Sequence, residues 1–105
     1  MSNLDELEIT SSPTGDRVSI VVAGEIDVNT CTQLQDALVA QEGKHVDLDL
    51  DGVGFIDSSG LRSVIAGRRR IADAGGSLKI TALSAPARRL LEITGLLELF
   101  EVDPG

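Results

Sequence analysis

His45-Val46-Asp47-Leu48-Asp49-Leu50 alternates polar and apolar side chains without a break. A period of two is that of a β-strand, so Val46, Leu48 and Leu50 share one face while His45, Asp47 and Asp49 share the other. Carboxylates are costly to bury, so the aspartate face meets water and the sheet is covered mainly on one side.

The same alternation recurs on either side. Leu7 and Ile9, Val18, Ile20 and Val22, and Leu78, Ile80 and Ala82 read as three further strands. A shorter fifth runs through Leu97, Leu99 and Glu101, with Phe100 and Val102 on its other face, and is expected at an edge. Turns are expected at Ser11 to Asp16, Gly43-Lys44, Gly75-Gly76 and Gly95. Between the strands the period changes to that of a helix. Thr30 to Gln41 carries a Thr30/Gln33 capping box with Leu34, Ala37 and Leu38 as its apolar stripe. Ser59 to Ala74 aligns Leu61, Val64, Ile65, Arg68, Ile71 and Ala72, and stops at Gly75-Gly76. A third helix has Ser84 as cap, Pro86 in its first turn, Ala87, Leu90, Leu91 and Thr94 at helical spacing, and Gly95 as its end.

The order β, β, α, β, α, β, α, β asks for right-handed βαβ crossovers, with an N-terminal hairpin that makes the sheet mixed. The expected architecture is α/β: a single domain over 1–105, four or five strands, and helices mainly on one face.

Composition narrows the function. Nine basic residues against seventeen acidic ones give a formal charge of −8, which repels nucleic-acid backbones and anionic lipids. Hydrophobic residues make up 42% of the chain, but Phe55 and Phe100 are its only aromatics, so the core is aliphatic. A lone cysteine, Cys31, excludes an internal disulfide, and Met-Ser-Asn-Leu-Asp-Glu at the start has no basic, apolar secretory pattern. No apolar run is long enough to span a bilayer. These features point to a cytoplasmic protein that binds neither nucleic acid nor membrane.

Gly54-Phe55-Ile56-Asp57-Ser58-Ser59-Gly60-Leu61 delivers two adjacent serines to the start of a helix. There the first backbone N–H groups lack intrahelical partners, so Asp57 or Ser58 can cap and a phosphoryl group on a serine would find donors. Gly60 would leave room for a kinase or partner backbone to approach Ser59. On Asp57-Ser58-Ser59-Gly60 alone, an ordinary N-cap explains the pattern better than a modification site does.

Together with Gly24-Glu25-Ile26-Asp27, Gly75-Gly76 before a strand, Ser84-Ala85-Pro86-Ala87 before a helix and Ile93-Thr94-Gly95-Leu96 after it, the stretch resembles the STAS domains of bacterial anti-sigma factor antagonists along nearly the whole chain. The resemblance implies a phosphoprotein of transcription regulation in the stress response, with Ser59 rather than Ser58 as the phosphoacceptor. It implies a partner-switching cycle. The unphosphorylated protein binds an anti-sigma factor that is itself a serine kinase, freeing a sigma factor; phosphorylation breaks the complex, and a phosphatase restores it. Gly24, Asp27, Asp57, Ser58, Gly60, Leu61 and Arg62 are then expected on the partner-binding face. Family members often continue into a final helix where this sequence ends Glu101-Val102-Asp103-Pro104-Gly105, which leaves a homodimer through Leu96, Leu97, Leu99 and Phe100 open. The alternative within the family is a constitutively binding scaffold or regulatory subunit of a stress-signalling or transporter assembly.

Other patterns have simpler explanations. Asp47, Asp49 and Asp51 could suggest magnesium, but their spacing of two follows from a solvated strand face, and no metal is expected. Arg68, Arg69 and Arg70 complement the dipole of the second helix. His45 is without a triad or metal partner in the pattern, and Cys31 is expected on the inner side of its helix. A receiver domain phosphorylated on Asp57 or Asp51, with Lys79 on a later strand, would need more helices than the chain supplies. No paired acid and base, nucleophile triad or cofactor loop stands out, so no enzyme and no cofactor is expected.

Overall fold

The computed structural model describes residues 7–102. The start Met1 to Glu6 and the end Asp103 to Gly105, on which the secretory and final-helix readings partly rest, lie outside the described residues. Strands β1 (Glu8–Thr14), β2 (Arg17–Ile26), β3 (His45–Ile56), β4 (Ser77–Leu83) and β5 (Glu101–Val102) alternate with helices α1 (Cys31–Val39), α2 (Ser58–Asp73) and α3 (Ala85–Thr94) after the opening hairpin. They form a mixed sheet in the order β1-β2-β3-β4-β5, antiparallel between β1 and β2 and parallel elsewhere.

Val18, Ile20 and Val22, Val46, Leu48 and Leu50, and Leu78 and Ile80 are all buried, and Val18, Val46 and Leu78, like Ile20, Leu48 and Ile80, lie in matching register across three strands. Leu34 and Leu38 of α1, Leu61, Val64 and Ile71 of α2, and Ala87 and Leu91 of α3 are buried too, and Ala87 aside they join those strand residues in one core. The opposite face is polar: Arg17 forms an ion pair with Asp47 at 2.8 Å, and Asp49 accepts from the Asp51 N–H at 2.9 Å. The helices therefore cover one face, as the alternation in β3 requires.

β3 runs well past Leu50. It has twelve residues against ten in β2, yet the pair is aligned at both ends, Arg17 with His45 and Ile26 with Ile56. The register shifts twice, between Val21 and Ala23 and between Gly24 and Glu25, so β3 carries two extra residues. Each bulge reverses the face of the residues beyond it, which is why the buried series continues at Val53 and Ile56 packs against the core. Gly24 lies at the second shift with φ 111°, a conformation that side-chain-bearing residues rarely adopt.

Four expectations need correction. Ser11 to Thr14 is strand, and the turn is confined to Gly15-Asp16; Pro13 is tolerated because β1 is an edge. Leu97 and Leu99 lie in a turn after α3, and β5 begins only at Glu101. Ala72 is exposed, since the buried stripe of α2 runs through Gly60, Leu61, Ser63, Val64, Gly67 and Ile71. Gly67 sits there because an added Cβ would lie 2.6 Å from Leu38 of α1. The Thr30/Gln33 capping box is absent: Gln33 donates instead to the Leu7 carbonyl at 3.3 Å.

The end of α3 follows the sequence closely. Ser84 accepts from the Ala87 N–H at 3.3 Å, and Gly95 closes the helix in the left-handed conformation at φ 73°.

Candidate functional site

Parallel strands β2 and β3 end side by side at Ile26 and Ile56, and an aspartate comes directly after each. The Asp57 N–H donates to the Ile26 carbonyl at 3.2 Å, which ties the start of α2 to the end of β2. Both aspartates serve the helices that leave these strands. Asp27 Oδ1 accepts from the N–H groups of Asn29 and Thr30 at 2.9 and 3.2 Å; Asp57 Oδ1 accepts from those of Ser59 and Gly60 at 2.9 and 3.1 Å. Both carboxylates are thus committed to helix starts, Asp57 as a true N-cap.

This alters the expected setting of a phosphoryl group. The N–H groups of Ser59 and Gly60 are taken by Asp57, so two of the donors that a helix start offers are already used. Gly60 has a different purpose from the one expected. It is buried, and a Cβ there would lie 2.5 Å from Ile26 Cγ2 and 2.9 Å from Ile56 Cγ1, so glycine lets α2 settle onto the strand ends. Leu61 is also turned inward, 6% exposed and part of the core. Gly24 is half-buried within β2. Of the expected residues, Gly60 and Leu61 are buried, while Gly24, Asp27, Asp57, Ser58, Ser59 and Arg62 retain access to solvent.

Ser59 lies half-buried in a groove of about 250 Å³ between α1 and α2, lined by Cys31, Gln35, Ser59, Arg62, Ser63 and Ala66. The hydroxyl of Ser59 has no hydrogen-bond partner among the described residues, whereas that of Ser63 donates to the Ser59 carbonyl at 3.2 Å. Arg62 is exposed and has no ion pair among the described residues. The groove therefore brings together an unengaged hydroxyl, a thiol and a guanidinium.

Sequence reasoning missed the α1 wall of this groove. Cys31 is half-buried beside it, not hidden beneath the helix, with its thiol 3.6 Å from the Val28 carbonyl. Cys31 and Gln35 are one helical turn apart, as are Ser59 and Ser63, so i, i+4 spacing was the available signal. Val28, beside Asp27, is 70% exposed, and Phe55 is 46% exposed, which leaves apolar surface close to the strand ends.

The remaining candidates are structural. Arg68 lies over the Phe100 ring at 6.0 Å, and Arg70 bonds Glu42 through Nε and Nη2, both at 3.1 Å. These partners account for two of the three arginines more directly than the helix dipole does. His45, at the start of β3, meets Ser77 Oγ at 2.8 Å, at the other end of the strand from Ile56. Among the described residues no helix is long and apolar enough to cross a membrane.

Comparison with known proteins places these features in a family. Residues 9–101 match the family model described as "Mlab, STAS domain". An anti-sigma-B factor antagonist of Staphylococcus epidermidis is 34% identical over 102 residues, covering 94% of each chain. Another of the same name from Bacillus subtilis is 34% identical over 88 residues, covering 82% of this chain and 81% of that protein. The crystal structure of an anti-sigma factor antagonist from Mycobacterium paratuberculosis superposes with a TM-score of 0.84 at 26% identity, covering 100% of this chain and 92% of the other.

Proposed function

This chain belongs to the STAS-domain family, and from that premise we propose that it is an anti-sigma factor antagonist switched by phosphorylation of Ser59. It acts as one domain over 1–105, in the cytoplasm, as a binding protein and not an enzyme. Unphosphorylated, it binds an anti-sigma factor serine kinase through the strand-end face and releases the sigma factor. The kinase then moves the γ-phosphoryl of ATP to Ser59: the Oγ–P bond forms as the bond to ADP breaks, and the hydroxyl proton passes to a base of the kinase. A phosphatase hydrolyses the phosphoserine and resets the cycle.

The observation that carries this reading is the Ser59 hydroxyl, unengaged among the described residues and opening on the α1–α2 groove beside exposed Ser58 and Arg62. A phosphoserine carries about −1.5 to −2 charges near neutral pH, and here it would stand beside Asp57, on a strand end neighbouring Asp27. Burying that cluster against a partner is unfavourable, and a hundredfold loss of affinity needs only about 2.7 kcal/mol. No rearrangement of the fold is required.

The test is mass analysis of the intact protein and its peptides after incubation with ATP and the kinase, beside the Ser59→Ala variant, with partner binding measured in parallel. One phosphate on Ser59, none on the variant, and loss of binding on modification are expected. Phosphate on another residue of the variant would overturn the assignment. A second reading, a constitutively binding scaffold, draws on the half-burial of Ser59 and on Asp57 holding its N–H. Binding without any phosphorylation would favour it.

A further inference from the structure

We propose that Arg62 is the intramolecular partner of the phosphate on Ser59, so that modification folds the groove's cation back onto its own helix. This deepens the reading of Ser59 as the phosphoacceptor and rests on it.

Three observations converge. First, the start of α2 has little left to offer the phosphate, because Asp57 already holds the N–H groups of Ser59 and Gly60. A dianion there gains from a side-chain donor. Second, Arg62 stands three residues after Ser59 on α2 and lines the same groove. Residues i and i+3 are neighbours on a helix surface, side chains lean towards the helix N-terminus, and an anion placed N-terminal to a cation is the favourable order. Third, Arg62 is exposed and without an ion pair among the described residues, so no existing bond is broken when it turns. Arg68 and Arg70 on the same helix are engaged with Phe100 and Glu42.

The charged and titratable groups around the site are few. Arg62 and Asp57 flank Ser59 on α2, Cys31 faces it from α1 beside neutral Gln35, and Asp27 ends the neighbouring strand. Arg62 is thus the cation of the groove, and a planar guanidinium suits phosphate oxygens better than an ammonium does. Phosphorylation then does two things at once: it adds negative charge and withdraws a positive one from the surface offered to a partner.

The experiment uses the full chain carrying phosphoserine at 59, introduced during synthesis, so that it does not depend on a kinase. The second ionisation of the phosphate is measured by phosphorus NMR against pH in the parent, Arg62→Ala and Arg62→Lys chains. An exposed i, i+3 pair predicts a midpoint about 0.3 pH units lower in the parent than in Arg62→Ala, from an ordinary phosphoserine value of about 6. The lysine variant should fall between them, and about 1 M salt should shrink the difference. Equal midpoints in parent and Arg62→Ala, or a difference that salt leaves unchanged, would overturn the proposal. Unmodified Arg62→Ala should melt with the parent, which separates phosphate pairing from a structural role. A null result here leaves the Ser59 switch standing, and the absence of kinase-dependent phosphate leaves this pairing standing.

Discussion

Two helix starts stand side by side at the ends of β2 and β3, and they use their hydroxyls in opposite ways. At α1, Thr30 is 8% exposed; its Oγ1 donates to the Glu25 carbonyl at 2.7 Å and accepts from the Asp27 N–H at 3.0 Å. At α2, the hydroxyl of Ser59 is bound to nothing among the described residues. Both starts share an aspartate that accepts two backbone N–H bonds. The difference lies in how each helix is held to the sheet. A side chain laces α1 to its strand, whereas α2 is held by close packing of Gly60 on Ile26 and Ile56 and by a backbone bond from Asp57 to Ile26. Because glycine and backbone do the anchoring, the serine is left available for chemistry.

The contrast can be broken most severely at Gly60. Gly60→Val puts methyl groups where even a Cβ meets Ile26 at 2.5 Å, and overpacking of this kind should destabilise the fold by about 3 kcal/mol in urea unfolding. A loss below about 1 kcal/mol would mean that α2 is not anchored there. Thr30→Val keeps the shape but strips the lacing from α1, leaving the Glu25 carbonyl and Asp27 N–H short of a partner, and should cost about 2 kcal/mol. The smallest effect belongs to Ser59→Ala. With no bond to lose, its unfolding free energy should stay within about 0.5 kcal/mol of the parent. If Ser59→Ala cost as much as Thr30→Val, the two hydroxyls would have the same structural duty and the contrast would fail.

Much of this was legible in the residues. The alternation through Val46, Leu48 and Leu50 carries the one-sided sheet, and Ser84 with Gly95 marks α3 because both act through local geometry. The sequence also places Asp57 at the start of α2. It could not place the second half of β3, where Gly52 and Gly54 interrupt the alternation; only pairing with β2 shows that strand continues there. Gly60 was misread for a related reason: next to a serine it looks like access, and its closest contact, Ile26, lies on β2, more than thirty residues away in the chain. Thr30 matches a capping box in sequence, but Asp27 reaches the first N–H groups before it, and the threonine is left to bind backward.

The two register shifts give β3 two residues beyond those that β2 can match. Each is absorbed in a bulge, so the pleat at Ile56, and hence the helix start beyond it, follows the pairing with Ile26 and not the number of residues after Leu50. Loss of one glycine there would remove one bulge and leave Ile56 facing inward. Loss of Gly52 and Gly54 together would restore an unbroken pairing with β2, with Leu50, Val53 and Ile56 still facing inward. The segment is therefore a length buffer that can shed up to two residues, and a third loss would leave β3 too short to stay aligned with β2 at both ends.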